Sequence, residues 1–362
     1  MKAHGGNESR GKSLGMNPFS LLVKPVGAAC NFNCSYCFYG GHASGVMSET
    51  TFRSMLDSYC DLPFADKAVA LQGGEPLMAP EFVFAALEER MLMRSLQTNA
   101  SHVTPKVAER LKMGGWLVGA SLDGPREFNA LRMSGGSRDK AFDEAVAGIR
   151  NLEKHDVDYN LLTVVSKANV AHAREIYRYL RDSFSTRYHQ YIECTGPRDE
   201  ITAVEWGAFL CDLFDEWSKK DAYTVSIRLF DSIVSRIVRG VHTQCSFAGR
   251  CDSYLVVEHD GSVYPCDFHV REDLKLGNVM THTWEEMLSC EIYRNFAEAK
   301  SSSLPDECHD CEYFAFCGGD CPRNRTMKGM RFLERSVLCA GWKKFFSHSL
   351  KKFEKIIRQA GV

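Results

Sequence analysis

This sequence has no excess of either charge: 44 Lys and Arg face 46 Asp and Glu, for a formal net charge of −2. That balance removes any general attraction to nucleic acid or to an anionic membrane surface. It also lacks an uninterrupted apolar run near the ~18 residues that a membrane span requires. Its start, Met1 to Met16, is polar and Gly-rich and has no apolar stretch of the kind a secretory signal carries. Residues 1–17 therefore read as a disordered leader, with Met16 a candidate native start. Internal repeats are missing too, as is low complexity beyond the leader. These absences predict a cytoplasmic protein that engages neither nucleic acid nor membrane. The length of 362 residues suggests about two or three domains.

Cysteine, by contrast, is abundant, with fifteen in the chain. A disulfide scaffold fits poorly, because the chain is large, the count is odd and no secretion signal is present. Eleven thiols fall into short-spaced clusters, as metal ligands do. Cys60, Cys194, Cys211 and Cys290 are left over and read as structural thiols.

The first cluster is Cys30-Asn31-Phe32-Asn33-Cys34-Ser35-Tyr36-Cys37, three thiols spaced C-x3-C-x2-C. A [4Fe–4S] cube has four irons, so three Cys ligands leave one iron open, which marks a catalytic site. The alternative, a zinc knuckle, lacks a fourth ligand nearby. Here the sequence resembles the radical S-adenosylmethionine (SAM) superfamily, in which SAM chelates the open iron. The resemblance implies a partial (β/α)6 barrel, and the chain's own pattern agrees. Short apolar runs at Phe19–Lys24, Ala68–Gln72, Met91–Thr98, Leu117–Leu122, Tyr159–Ser166 and Tyr188–Ile192 predict strands. Helical patterns lie between them, near Glu49–Tyr59, Pro80–Glu89, Pro105–Lys112, Lys140–His155 and Val170–Arg181. Such alternation predicts an α/β fold with a parallel sheet, its chemistry on the loops after the strands. The expected division is a barrel over 18–200, a helical bridge over 201–242, a Cys-rich module over 243–342 and a C-terminal helix over 343–362.

Gln72-Gly73-Gly74-Glu75-Pro76 closes the second strand, and the matching Gly-Gly-Glu-Pro stretch of the superfamily binds the methionyl amine of SAM. Leu96–Asn99 and Gly119–Pro125 also resemble SAM-contacting segments. Position by position, the resemblance places Tyr36, Gly74, Ser121 and Thr195 near SAM, Thr195 through its backbone only. It sends Arg132 to a SAM carboxylate, which a guanidinium pairs well; the alternative for Arg132 is a solvated surface charge.

The later thiols, Cys245, Cys251, Cys266, Cys308, Cys311, Cys317, Cys321 and Cys339, resemble the SPASM module of peptide-modifying radical SAM enzymes. Eight thiols suffice for two fully ligated cubes, so the expected total is three [4Fe–4S] clusters. The resemblance assigns Cys245, Cys251, Cys266 and Cys321 to one auxiliary cluster and Cys308, Cys311, Cys317 and Cys339 to the other. Zinc is the alternative here as well. His309 reads as an exposed loop histidine.

Gly261-Ser262-Val263-Tyr264-Pro265-Cys266-Asp267-Phe268 puts a carboxylate directly after a ligand. With Cys30–Tyr39 and the Cys245/Cys251 pair, it is similar to anaerobic sulfatase-maturating enzymes, which oxidise a sulfatase Cys or Ser to Cα-formylglycine. The resemblance runs from about Ser20 to Phe346. It implies cleavage of SAM to a 5′-deoxyadenosyl radical and hydrogen abstraction from the substrate Cβ. The oxidation removes two electrons and two protons, so a base and an electron acceptor are also needed. Asp267 is expected to be the base and the neighbouring auxiliary cluster the acceptor. For Asp267 the alternative is a loop carboxylate capping a turn. Gln72 and Tyr39 are expected at the substrate, with simple packing as their alternative. His269 is read as structural, on a strand continuing from Asp267. The implied partners are a sulfatase carrying Cys/Ser-x-Pro-x-Arg and a flavodoxin- or ferredoxin-type donor, the enzyme being a monomer. A second reading is a SPASM enzyme that forms thioether or carbon–carbon crosslinks in a precursor peptide. A third, a non-catalytic iron–sulfur carrier or zinc module, leaves the Gly-Gly-Glu-Pro turn unexplained.

Overall fold

The computed structural model describes residues 18–195, 199–328 and 331–361. The expected leader over 1–17, with Met16, lies outside the described residues.

Six parallel strands run in sequence order across one sheet: β1 (Ser20–Val23), β2 (Ala68–Leu71), β3 (Met93–Thr98), β4 (Leu117–Ser121), β5 (Tyr159–Val165) and β6 (Tyr188–Glu193). Helices cross between them: α1 (Glu49–Cys60), α2 (Glu81–Glu88), α3 (Pro105–Met113), α4 (Arg138–Lys154) and α5 (Ala173–Ser183). This is the expected (β/α)6 arrangement. Each helix presents one apolar stripe to the sheet. On α4 the buried set is Ala141, Phe142, Ala145, Gly148, Ile149 and Leu152, while Ser137 caps the first turn through its hydroxyl. The expected helix from Val170 divides into a 3-10 turn, Val170–His172, and then α5.

The sheet does not stop at six strands. Beyond the barrel come α6 (Ala203–Trp217), a two-residue strand β7 (Ser226–Ile227) parallel to β6, and α7 (Arg228–Arg239). The segment expected as a helical bridge thus also adds an edge strand. On the opposite margin β8 (Tyr254–Val257) pairs parallel to β1, with Val23 opposite Val257. A short antiparallel meander, β9 (Ser262–Tyr264) and β10 (Gly277–Asn278), completes ten strands. The Cys-rich module is therefore hydrogen-bonded into the barrel sheet.

The C-terminal helix begins at Cys339 and runs to Gln359, earlier than the expected 343. It crosses α6 where two glycines meet: a Cβ on Gly207 would lie 2.8 Å from Gly341 Cα. Trp206 and Trp342 close the crossing edge to face at 5.7 Å. That contact fixes the start of the helix, and with it Cys339, against the barrel.

Candidate active site

The ends of the parallel strands gather the site. After β1 the loop carrying Cys30, Cys34 and Cys37 is pinned to the loop after β4, Asn33 N–H donating to Met133 O at 2.8 Å and Ser35 N–H to Leu131 O at 3.0 Å. Gly74 lies against the same loop: its N–H donates to Gly27 O at 2.8 Å, and a Cβ there would stand 2.0 Å from Ala29 O. Only glycine permits that approach. Glu75 is fully buried and accepts from Leu77 N–H, Thr98 Oγ1 and Asn99 N–H. It ties the ends of β2 and β3 together beneath the thiols. The Cys30 sulfur in turn faces the Phe32 N–H at 3.4 Å and Asn99 Nδ2 at 3.7 Å. Burial pushes the Cys34 thiol up to about 11, with the Arg132 charge acting against it.

Tyr36 donates to Asp123 Oδ2 at 2.6 Å, and Arg132 Nη1 donates to the Tyr36 oxygen at 3.0 Å. Arg132 is 3% exposed, which overturns its reading as a solvated surface charge. Its Nε is buried without a hydrogen-bond partner among the described residues. A buried guanidinium N–H of this kind fits an anionic ligand beside the thiol loop, as a SAM carboxylate would be. Ser121 ends β4 in this neighbourhood. The Thr195 hydroxyl is committed elsewhere, to Asn324 Oδ1 at 2.7 Å.

A second group lies where β1 meets β8. Because Val23 pairs with Val257, the next residues, Lys24 and Glu258, emerge together. Lys24 is completely buried, its Nζ 3.6 Å from Asp267 Oδ1, 3.9 Å from Glu258 Oε1 and 3.5 Å above the Tyr39 ring. Tyr39 donates its hydroxyl to Glu258 Oε2. Asp267 is 4% exposed and opens a 3-10 turn, Asp267–His269, without capping it. The turn-capping alternative and the expected strand through His269 are both corrected by this geometry. Lys24 Nζ, Asp267 Oδ1, Glu258 Oε1 and Gln72 Oε1 are all buried and lack hydrogen-bond partners among the described residues. One amide N–H of Gln72 donates to Gln97, at 3.0 Å. What remains is two carboxylates around one ammonium, able to receive a thiol or hydroxyl proton, with the Gln72 oxygen a further hydrogen-bond acceptor. Beside it Phe268 packs on Phe38 at 4.6 Å, and the Arg323 guanidinium, held by Glu193, covers the Phe268 ring at 4.3 Å.

His269 itself is buried between Phe296 and Phe332, and burial pulls its imidazole down to about 4. That is a structural placement. His309 is exposed, at the end of a short helix, Asp306–His309, rather than in a loop.

The remaining thiols fall into two neighbourhoods. Cys251 senses Cys245, Cys266 senses Cys251, and Cys321 senses Cys266. In the other, Cys308, Cys311, Cys317 and Cys339 line one cavity. Burial raises the Cys251 thiol to about 11 and Cys266 to about 12. Ligation would thus have to displace protons. All fifteen cysteines are free of disulfides. Among the described residues no three His, Cys, Asp or Glu side chains converge on a single ion. Two sets of four soft donors fit two cubes.

Lys24, Glu258 and Arg323 were not singled out in the sequence. The only local signal was Lys24-Pro25 at the end of a predicted strand.

Residues 25–180 match the Radical SAM superfamily, and residues 245–312 match an iron–sulfur cluster-binding domain. The chain is 32% identical to a cysteine-type anaerobic sulfatase-maturating enzyme of Clostridium perfringens, over 93% of this chain and 98% of that one. It is 31% identical to a serine-type anaerobic sulfatase-maturating enzyme of Bacteroides thetaiotaomicron, over 91% and 89% of the two chains. A solved structure described as native anSMEcpe with bound AdoMet and Cp18Cys peptide superposes with a TM-score of 0.89 at 30% identity. It covers 95% of this chain and 100% of that one.

Proposed function

This chain belongs to the anaerobic sulfatase-maturating enzymes, a radical SAM family, and from that membership we infer that it oxidises an active-site Cys or Ser of a sulfatase to Cα-formylglycine. The observation that carries the assignment is Asp267. It is fixed next to Cys266, buried, within 3.6 Å of Lys24, and has one oxygen unpartnered. When bound, SAM and the clusters supply the hydrogen-abstracting radical and the electron acceptor that the oxidation needs.

The chain's own residues do the rest. Cys30, Cys34 and Cys37 hold the first cluster, and the buried Arg132 takes the SAM carboxylate. Gly74, Ser121, Tyr36 and the Thr195 backbone complete that pocket. Gln72, through its buried Oε1, and Tyr39, whose hydroxyl proton is spent on Glu258, flank the substrate side chain and orient its thiol or hydroxyl toward Asp267. Asp267 then takes the S–H or O–H proton at Oδ1. The Phe38–Phe268 pair lines the approach for the peptide.

Three [4Fe–4S] clusters fit the three thiol neighbourhoods, and the expected division into barrel, bridge, SPASM module and C-terminal helix is retained, with the last boundary moved to 339. Thiols clustered at metal-ligand spacings suit a reducing compartment, which supports a cytoplasmic site. A single chain carries every group named here, so a monomer supplied by a flavodoxin- or ferredoxin-type donor suffices. The test is anaerobic: reconstituted protein, SAM and dithionite with a Cys-x-Pro-x-Arg peptide. An aldehyde-bearing peptide establishes the reading. SAM cleavage with an unchanged peptide contradicts it.

A further inference from the structure

Two more buried cations lie in the Cys-rich module, and neither has a carboxylate within ion-pair distance among the described residues. Lys300 is fully buried, and its Nζ donates to Cys245 O and Ser246 O, both at 2.8 Å. Arg325 is 5% exposed and also bonds only backbone carbonyls, those of Glu334, Lys300, Ser303 and Phe332. The contrast is with Lys24, which has two carboxylates within 4 Å. Carbonyls satisfy N–H donors but carry no countercharge, and an uncompensated buried cation is strongly unfavourable.

Lys300 is bonded to the backbone of Cys245 itself, and Arg325 lies 5.9 Å from the centre of the Phe332 ring, in the apolar group against which Cys251 and Cys266 pack; its charge bears on Cys251 of one thiol set and on Cys308 and Cys317 of the other. Asp320 is the one carboxylate that Arg325 senses. It is itself buried, turned toward Ser336 and Asn324 through Oδ2, and not paired with the guanidinium. A thiolate-ligated cube is net negative and becomes more so on reduction, so a fixed cation beside it favours the reduced form.

We propose that Lys300 and Arg325 are the built-in countercharges of the auxiliary clusters, and that they raise the potential of the set at Cys245, Cys251, Cys266 and Cys321 so that it can accept the substrate's second electron. This rests on the function proposed above. In that step the deprotonated substrate radical loses one electron and closes its carbon–sulfur or carbon–oxygen double bond. The auxiliary cluster gains that electron, and no further proton moves. Lys300 and Arg325 are positioning residues here, since neither touches substrate.

The experiment is a redox titration followed by electron paramagnetic resonance. It uses the full chain with Cys30, Cys34 and Cys37 changed to Ala, so that only the auxiliary clusters report. Lys300→Met and Arg325→Gln, at full iron content, are expected to make reduction of an auxiliary cluster at least about tenfold less favourable, which is about 59 mV for one electron. Lys300→Arg should restore the parent value. Neutral variants that load iron and titrate at the parent potential overturn the proposal. Should the neutral variants fail to load iron, the charge-keeping Lys300→Arg and Arg325→Lys decide. Loading in those supports compensation by charge, and failure in those as well makes both residues packing groups and overturns it. A shifted potential in the titrated protein, beside a parent enzyme with Cys30, Cys34 and Cys37 intact that never oxidises a Cys peptide, would fault the function and leave the countercharge assignment standing.

Discussion

The Lys24 ammonium lies 3.6 Å from the Asp267 carboxylate, although 242 residues separate them in the chain. One comes from the end of β1, the other from the turn after a cluster-ligand candidate, and the pairing of β8 with β1 brings them together. The proposed base is thereby fixed to the barrel and to the auxiliary-cluster module at once.

Asp267→Asn keeps the shape and removes the proton acceptor. Formylglycine production should fall by about 10²–10⁴-fold, while 5′-deoxyadenosine is still released. Mass spectrometry of the peptide and chromatography of the nucleoside, from one reaction, check both. Parallel loss of nucleoside would place Asp267 in SAM binding instead.

Lys24→Met leaves Asp267 and Glu258 buried together without their cation. Breaking a buried ionic group in this way should destabilise the fold on the order of 3–5 kcal/mol, read by denaturant unfolding. Adding Glu258→Gln should recover part of that loss. A single variant as stable as the parent would show that solvent reaches the group.

Gly74→Ala would drive a methyl into the Ala29 carbonyl and displace the loop that bears the first three thiols. Reconstituted protein should then carry about eight irons in place of about twelve, with the auxiliary signals intact. Iron and sulfide analysis decides it.

Acid should destabilise the protein before its carboxylates titrate. Burial pulls His189 and His269 both down to about 4, so the fold favours their neutral forms. That stability is fully present above the unfolded value near 6.5 and is lost as pH falls from there toward 4. Melting temperatures should decline across that window, and His189→Gln should flatten the decline.

The thiol sets and the strand–helix alternation were legible because both are short-range patterns: ligand spacing within a loop, and apolar periodicity within one element. The onset of α5 was not, since Val170–His172 continues the apolar pattern while winding as a 3-10 turn. Lys24, Glu258 and Arg323 were not legible either. Each takes its meaning from a strand pairing or a contact across more than a hundred residues, and a lysine at a strand end carries no local mark of being buried. Arg132 read as ambiguous for a related reason, since its burial depends on a contact with Tyr36 from the loop after β1.

The most direct test uses a Cys-x-Pro-x-Arg peptide deuterated at the cysteine Cβ, incubated anaerobically with SAM and reductant. The account predicts one deuterium in 5′-deoxyadenosine for each formylglycine, with the second deuterium kept on the aldehyde carbon of a peptide that has lost its sulfur. Unlabelled nucleoside, or a peptide that keeps its sulfur and forms a crosslink, would contradict it.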